Sequence, residues 1–210
     1  MSEQVIFFIA MIGTVDFAIS GAMVGLKREM DIFGVTILGL VTSVGGGMIR
    51  DLVLGNTPPM MFRNPIYALA AVIVSMIVFL PFVRGLFRRF QQVYDRLLLI
   101  MDSLGLGIFT VVGVRTAYDC GHGGFFLLLF VGVITGVGGG LLRDIMAGQT
   151  PYIFVKHIYA CASLMGAVTC ILLWSILPEL WAMVIGAFVV ILLRLLAAHF
   201  RWNLPKSTLE

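Results

Sequence analysis

Apolar residues run along this chain in seven long stretches, at roughly 5–26, 32–54, 65–83, 97–118, 124–147, 153–176 and 180–200. Each approaches or exceeds the about 20 residues that a helix needs to cross the hydrocarbon core of a bilayer. Short polar or helix-breaking segments separate them: Lys27 to Asp31, Asn56-Thr57-Pro58-Pro59, a basic segment from Arg84 to Arg96, Asp119 to Gly123, Gln149-Thr150-Pro151, and Pro178-Glu179. Proline, glycine and clustered polar residues are the usual punctuation between such runs. The pattern predicts an all-α membrane protein with seven transmembrane helices in a single domain over 1–210.

Composition agrees with that reading. Of the 210 residues, 60% are hydrophobic and only 12% are charged, against about 25% charged in soluble domains. The surplus apolar surface has to face lipid. A net charge of +3 is too small and too scattered to suggest nucleic acid. The opening Met1-Ser2-Glu3-Gln4 lacks the basic segment of a cleavable signal, so the first stretch is expected to stay as a spanning helix. Assigning alternate loops to alternate sides puts Lys27, Arg28, Arg84, Arg88, Arg89, Arg96, Lys156, Arg201 and Lys206 together, with only Arg63 and Arg115 opposite. Basic loops stay in the cytoplasm, which predicts an outside N-terminus, a cytoplasmic C-terminus and an odd number of spans.

The strongest signal is internal. Residues 39–58 (GLVTSVGGGMIRDLVLGNTP) align without a gap on residues 132–151 (GVITGVGGGLLRDIMAGQTP), at an offset of 93 and with 11 of 20 positions identical. Asp16 precedes the first motif and Asp102 the second, each in the preceding span. The unit is therefore three spans long: repeat one at 4–83, a cytoplasmic linker at 84–96, repeat two at 97–176, and a seventh helix at 180–202. An odd number of helices per unit makes the second copy enter from the opposite side, as in inverted-repeat transporters and channels.

The triplets Gly45-Gly46-Gly47 and Gly138-Gly139-Gly140 fall well inside spans 2 and 5. Each glycine costs about 1 kcal/mol relative to alanine in a helix interior, so three in a row favour a kink or break. A break would free carbonyls near Val41 to Val44 and Ile134 to Val137, which must then face protein or water. Such carbonyl ends suit a cation, and Thr42 and Thr135 could add hydroxyl ligands. The competing reading is that the glycines let two helices cross closely. Two triplets at matching positions favour the pathway, and the two readings are compatible.

Arg50-Asp51 and Arg143-Asp144 begin one turn beyond each triplet. Ionised groups at membrane depth are functional candidates by default; here they either flank a constriction or form buried ion pairs that pin helices. Because arginine and aspartate cancel, the preferred ion sign is open. Asp16, with Ser20 one turn away on the same face, and Asp102, beside Ser103, have no basic residue within a turn. They either pair with Arg50 or Arg143 across helices or supply the negative field of a pore.

The remaining polar residues read plainly. His122 has only Asp119 and Cys120 nearby, so a polar turn outweighs a metal site, and neither a metal nor a cofactor is expected. Cys161 and Cys170 sit in an apolar run, and the three cysteines form no disulfide framework. No nucleophile–base pair argues for an enzyme. Phe125, Phe126 and Phe130 are expected to face lipid or pack, Trp174, Trp181 and Trp202 to lie near helix ends, and Arg194 to snorkel to the cytoplasmic interface.

Two GGGxxRD motifs inside a three-plus-three repeat with a seventh helix resemble the prokaryotic trimeric intracellular cation (TRIC) channels, over about residues 4–203. The resemblance implies a homotrimer in the inner (plasma) membrane of a bacterium or archaeon. It also implies one pore per subunit, permeable to monovalent cations, chiefly potassium, between kinked helices 2 and 5. By motif, Gly45 to Gly47 and Gly138 to Gly140 become hinges, and Arg50, Asp51, Arg143 and Asp144 flank the pathway. The lysine-containing phosphoinositide motif of animal members is not found here. The alternative is a transporter of glycine or another small amino acid, because broken helices also build substrate sites.

Overall fold

The computed structural model describes residues 3–89, 91–155 and 158–202, with side chains at all of these but 86–89, 91, 92 and 155. Lys156, His157 and Lys206 of the charge and histidine readings lie outside the described residues. The chain forms α1 (Glu3–Lys27), α2 (Ile32–Val53), α3 (Met60–Arg63), α4 (Ile66–Phe79), α5 (Pro81–Arg89), α6 (Gln91–Asp119), α7 (Phe125–Met146), α8 (Tyr152–Val155), α9 (Tyr159–Trp174) and α10 (Glu179–His199). Helices α1, α2, α6, α7 and α10 are long and apolar enough to cross a membrane, and α4 and α9 are shorter apolar helices.

Local chemistry explains where the boundaries depart from the hydropathy pattern. The stretch expected at 65–83 is divided at Leu80, whose extended backbone (ψ 142°) precedes Pro81. Proline disfavours the helical conformation in the residue before it. The stretch at 153–176 yields α8 and the later α9. Helix α6 begins at Gln91, inside the basic segment read as linker; hydropathy marks where a helix leaves lipid, not where its hydrogen bonding ends. Asp31 starts α2 by accepting the Gly34 amide at 2.7 Å.

Helices α1, α2 and α4 pack on one another, as do α6, α7 and α9. The α2–α7 and α1–α6 contacts join the two groups, and α10 lies against α9 and α6. Small and polar side chains such as Ala18, Ala22, Thr42, Ser75, Thr110 and Ser163 share the interior with larger apolar ones such as Phe17, Leu38 and Leu106. Many large apolar side chains also face outward: Phe126 is 79% exposed and Phe33 72%. That arrangement suits a lipid solvent, in which small residues let helices approach and apolar side chains cover the outside.

The break expected in spans 2 and 5 is absent: α2 and α7 each run as one helix through their glycine triplets. The carbonyls near Val41 to Val44 and Ile134 to Val137 are therefore not released as helix ends. An unbroken helix keeps its backbone hydrogen bonds inside a bilayer that offers none. The glycines lie at a close crossing of the two helices.

Candidate functional site

The crossing of α2 and α7 is built from equivalent positions of the two motifs. A Cβ on Gly46 would overlap the Thr135 carbonyl oxygen, and one on Gly139 would overlap the Thr42 carbonyl oxygen. A Cβ on Gly138 would stand 3.1 Å from the Gly46 Cα. Close backbone approach of this kind is what glycine provides where membrane helices meet. The space at these glycines is too small for a methyl group. Thr42 and Thr135 donate their hydroxyls to Leu38 and Val131 carbonyls, each at 2.6 Å, and both residues are buried. Each proton is committed to its own helix, which leaves the hydroxyl oxygen lone pairs as the only ligating capacity of these two side chains.

Beyond each triplet the Arg-Asp pair ends the helix in the same way. Arg50 Nε donates to Asp51 Oδ1 at 2.8 Å, and Arg143 Nε to Asp144 Oδ1 at 2.8 Å. The other carboxylate oxygen turns back to the chain: Asp51 Oδ2 accepts the Met60 amide and Asp144 Oδ2 the Tyr152 amide, each at 2.8 Å. Gly55 (φ 72°) and Gly148 (φ 63°) supply the left-handed residue that closes each helix. The aspartates thus tie each long helix to the start of the short helix after it.

The surroundings of the two pairs differ. Arg143 is fully buried and also donates through Nη1 to Asp102 Oδ1 at 2.6 Å and to the Ser20 hydroxyl. Asp102 Oδ2 accepts from Arg194 Nη2 at 3.3 Å, and the Tyr159 hydroxyl stands 3.5 Å from Asp102 Oδ1. Rings cover both cations, Tyr152 at 5.2 Å from Arg143 and Tyr159 at 4.6 Å from Arg194. Gln149 Nε2 donates to Asp144 Oδ1 at 2.8 Å and its Oε1 receives Arg28 Nη2 at 3.4 Å. A cavity of about 420 Å³ opens there, lined in part by Lys27, Arg28, Gln149, Thr150 and Tyr152.

The structure brings Asp102 to Arg143 across helices, one of the two pairings left open by the sequence. It does not bring Asp16 to Arg50: Asp16 Oδ2 is buried without a hydrogen-bond partner. Arg194 does not snorkel, being 2% exposed and bound to Asp102. An arginine inside a span is better satisfied by a buried carboxylate than by a distant interface. Sequence reasoning missed Tyr159 and Gln149. Gln149 sits at the repeat position of Asn56, so its polar amide beside the motif was visible in the alignment; nothing in the sequence marked Tyr159.

A family model described as glycine transporter matches twice, at residues 7–82 and 99–175. The UPF0126 inner membrane protein YadS of Escherichia coli (strain K12) is 35% identical, covering 99% of this chain and 98% of that one. Among solved structures, a protein studied for conductance through TRIC cation channels superposes with a TM-score of 0.85 at 34% identity, over 100% of this chain and 99% of that one. The trimeric intracellular cation channel orthologue from Rhodobacter sphaeroides superposes with a TM-score of 0.86 at 35% identity, over 95% of this chain and 100% of its own. The chain belongs to the prokaryotic TRIC channel family. As a TRIC-family protein with five long apolar helices, it is a multi-pass membrane protein. More distant channels that are 14–16% identical share the fold, with a TM-score of 0.63.

Proposed function

We propose that this chain forms a homotrimeric channel for monovalent cations, chiefly potassium, with a pore in each subunit. The observation that carries the reading is its likeness along nearly the whole chain to solved TRIC cation channels, at 34–35% identity. The shorter helices α4 and α9 complete seven spans with the five long ones. The N-terminus lies outside and the C-terminus in the cytoplasm, with the 84–96 segment joining two inverted repeats. The pathway runs beside the α2–α7 crossing, flanked by Arg50 and Asp51 on one side and Arg143 and Asp144 on the other. Opening bends α2 and α7 at Gly45 to Gly47 and Gly138 to Gly140, the positions where helix propensity is weakest. The cavity at Lys27, Arg28 and Gln149 is the cytoplasmic mouth of this path.

Purified protein in a planar bilayer under a potassium chloride gradient tests the reading. Unitary currents reversing toward the potassium equilibrium potential are expected. Absence of current together with saturable counterflow of labelled glycine in liposomes assigns the chain to small-amino-acid transport and overturns it.

A further inference from the structure

Seven charged residues of the described chain are buried: Arg50, Arg143 and Arg194 against Asp16, Asp51, Asp102 and Asp144. One negative charge is left over, and the hydrogen bonding identifies its holder. Asp51 is engaged by Arg50 and the Met60 amide, Asp102 by Arg143 and Arg194, and Asp144 by Arg143, Gln149 and the Tyr152 amide. Asp16 is 6% exposed, its Oδ2 has no hydrogen-bond partner, and no ion pair among the described residues reaches it. A lone buried carboxylate is among the costliest groups to hold away from water, so it must be protonated or compensated by a cation.

Its position favours the cation. Asp16 lies on a strip of α1 turned toward α6 and α7. Three residues before it, a Cβ on Gly13 would stand 2.8 Å from Ile108 of α6. One turn after it, Ser20 accepts from Arg143 of α7. The neighbouring Phe17 ring lies over Gly139, where a Cβ would stand 3.1 Å away. Asp16 is therefore level with the α2–α7 crossing, where the two helix backbones meet. The aspartate that precedes the second motif has no such role open to it, since Asp102 has both oxygens committed to arginines.

We propose that Asp16 holds the permeating monovalent cation as it passes the crossing, and that this single uncompensated carboxylate sets the preference for cations over anions. Acidic side chains along a pore act this way through their local field. The proposal rests on the channel reading above, and its test separates the two.

Full-length wild-type, Asp16→Asn and Asp16→Glu proteins are compared in bilayers under a potassium chloride gradient. Apparent melting temperature is measured in parallel in potassium chloride and in N-methyl-D-glucamine chloride of equal ionic strength. Asp16→Asn is expected to lower the potassium-to-chloride permeability ratio about tenfold, within the range by which a like-signed cleft concentrates counter-ions, while Asp16→Glu retains it. Potassium is expected to stabilise wild type and Asp16→Glu but not Asp16→Asn. Persistent currents with an unchanged ratio in Asp16→Asn overturn the proposal and leave the channel reading standing. If wild type carries no current, the channel reading fails; potassium stabilisation that Asp16→Asn abolishes then keeps the cation site, and its absence removes it. If Asp16→Asn fails to assemble, Asp16→Ser is read in its place, and loss of assembly in both marks a folding role and overturns the proposal.

Discussion

The two arginine–aspartate pairs share their internal geometry and differ in everything around it. Arg50 is held by Asp51 alone among the described ion pairs, whereas Arg143 joins α7 to Ser20 of α1 and to Asp102 of α6, through which Arg194 of α10 is also drawn in. The same contrast reaches the glycines. The Tyr159 hydroxyl occupies the space beside Gly140, while beside Gly47 only the Arg50 guanidinium lies within 4 Å, its Nη2 at 3.7 Å. It reaches the loops as well: Gln149 bonds Asp144, whereas Asn56, at the same repeat position, turns to Cys120 Sγ at 3.4 Å. One copy of the motif is a turn with a buried ion pair, and the other is the junction of the bundle. Duplicated sequence sets the local turn; what each copy meets from neighbouring helices makes one of them the hub.

Removing the two arginines should break the comparison most visibly. Arg143→Ala leaves Asp102 and Asp144 short of a buried partner, a loss of about 3–5 kcal/mol for a broken buried pair. The expected result is a large fall in apparent melting temperature and in assembled yield. Arg50→Ala is expected to cost clearly less, because Arg50 pairs with Asp51 whereas Arg143 serves two buried carboxylates and the Ser20 hydroxyl; equal losses in the two variants would abolish the distinction between hub and turn.

The glycines give the next effect. Gly46→Ala and Gly139→Ala each force a methyl group into the other helix's backbone, costing about 1–3 kcal/mol by overpacking, and both are expected to destabilise the protein to a similar degree. Gly47→Ala meets only the Arg50 guanidinium, at ordinary contact distance, and gains helix propensity, so its melting temperature should be unchanged or higher. A cost at Gly47 equal to that at Gly46 would show that helix bending, not crossing, governs the triplet.

A double-mutant cycle sharpens the second copy. A Cβ on Gly140 would stand 2.5 Å from the Tyr159 hydroxyl, so Tyr159→Phe should relieve part of the Gly140→Ala cost, with a coupling of about 0.5–3 kcal/mol between touching sites. Strict additivity of the two melting shifts would place Tyr159 elsewhere.

The smallest expected change converts one loop toward the other. Gln149→Asn shortens the side chain by one methylene and should lose the bond to Asp144, costing about 1.5–3 kcal/mol at most for a bond to a charged group, with exposure at the cavity reducing it. Faster modification of a cysteine at Thr150→Cys in the Gln149→Asn background is the readout; an unchanged rate means that the loop is held by the Tyr152 amide alone.

Much of the architecture was legible in the chain because lipid imposes one-dimensional rules. Apolar runs, breakers and the offset of 93 between motifs announced helices and a repeat without any knowledge of contacts. The motif residues were legible as a set too, since glycine triplets and charges inside apolar runs are improbable unless something uses them. How they are used was legible only as alternatives, a close crossing being one of them. Helix propensity, a local quantity, predicted a kink or break at Gly45 to Gly47 and Gly138 to Gly140; both helices run on through the crossing, where Gly46, Gly138 and Gly139 gain the other helix's backbone as a packing partner.

Sequence by itself thus determined the all-helical membrane character, the doubled motif and the residues worth watching, because hydropathy, turn chemistry and internal identity are properties of neighbours along the chain. Only the tertiary structure decided that Asp102 is claimed by Arg143 and Arg194 while Asp16 is claimed by no side chain of the described residues. The two aspartates read alike in sequence. Charge compensation depends on which helices lie within hydrogen-bond reach, and that distance is set by packing across the bundle.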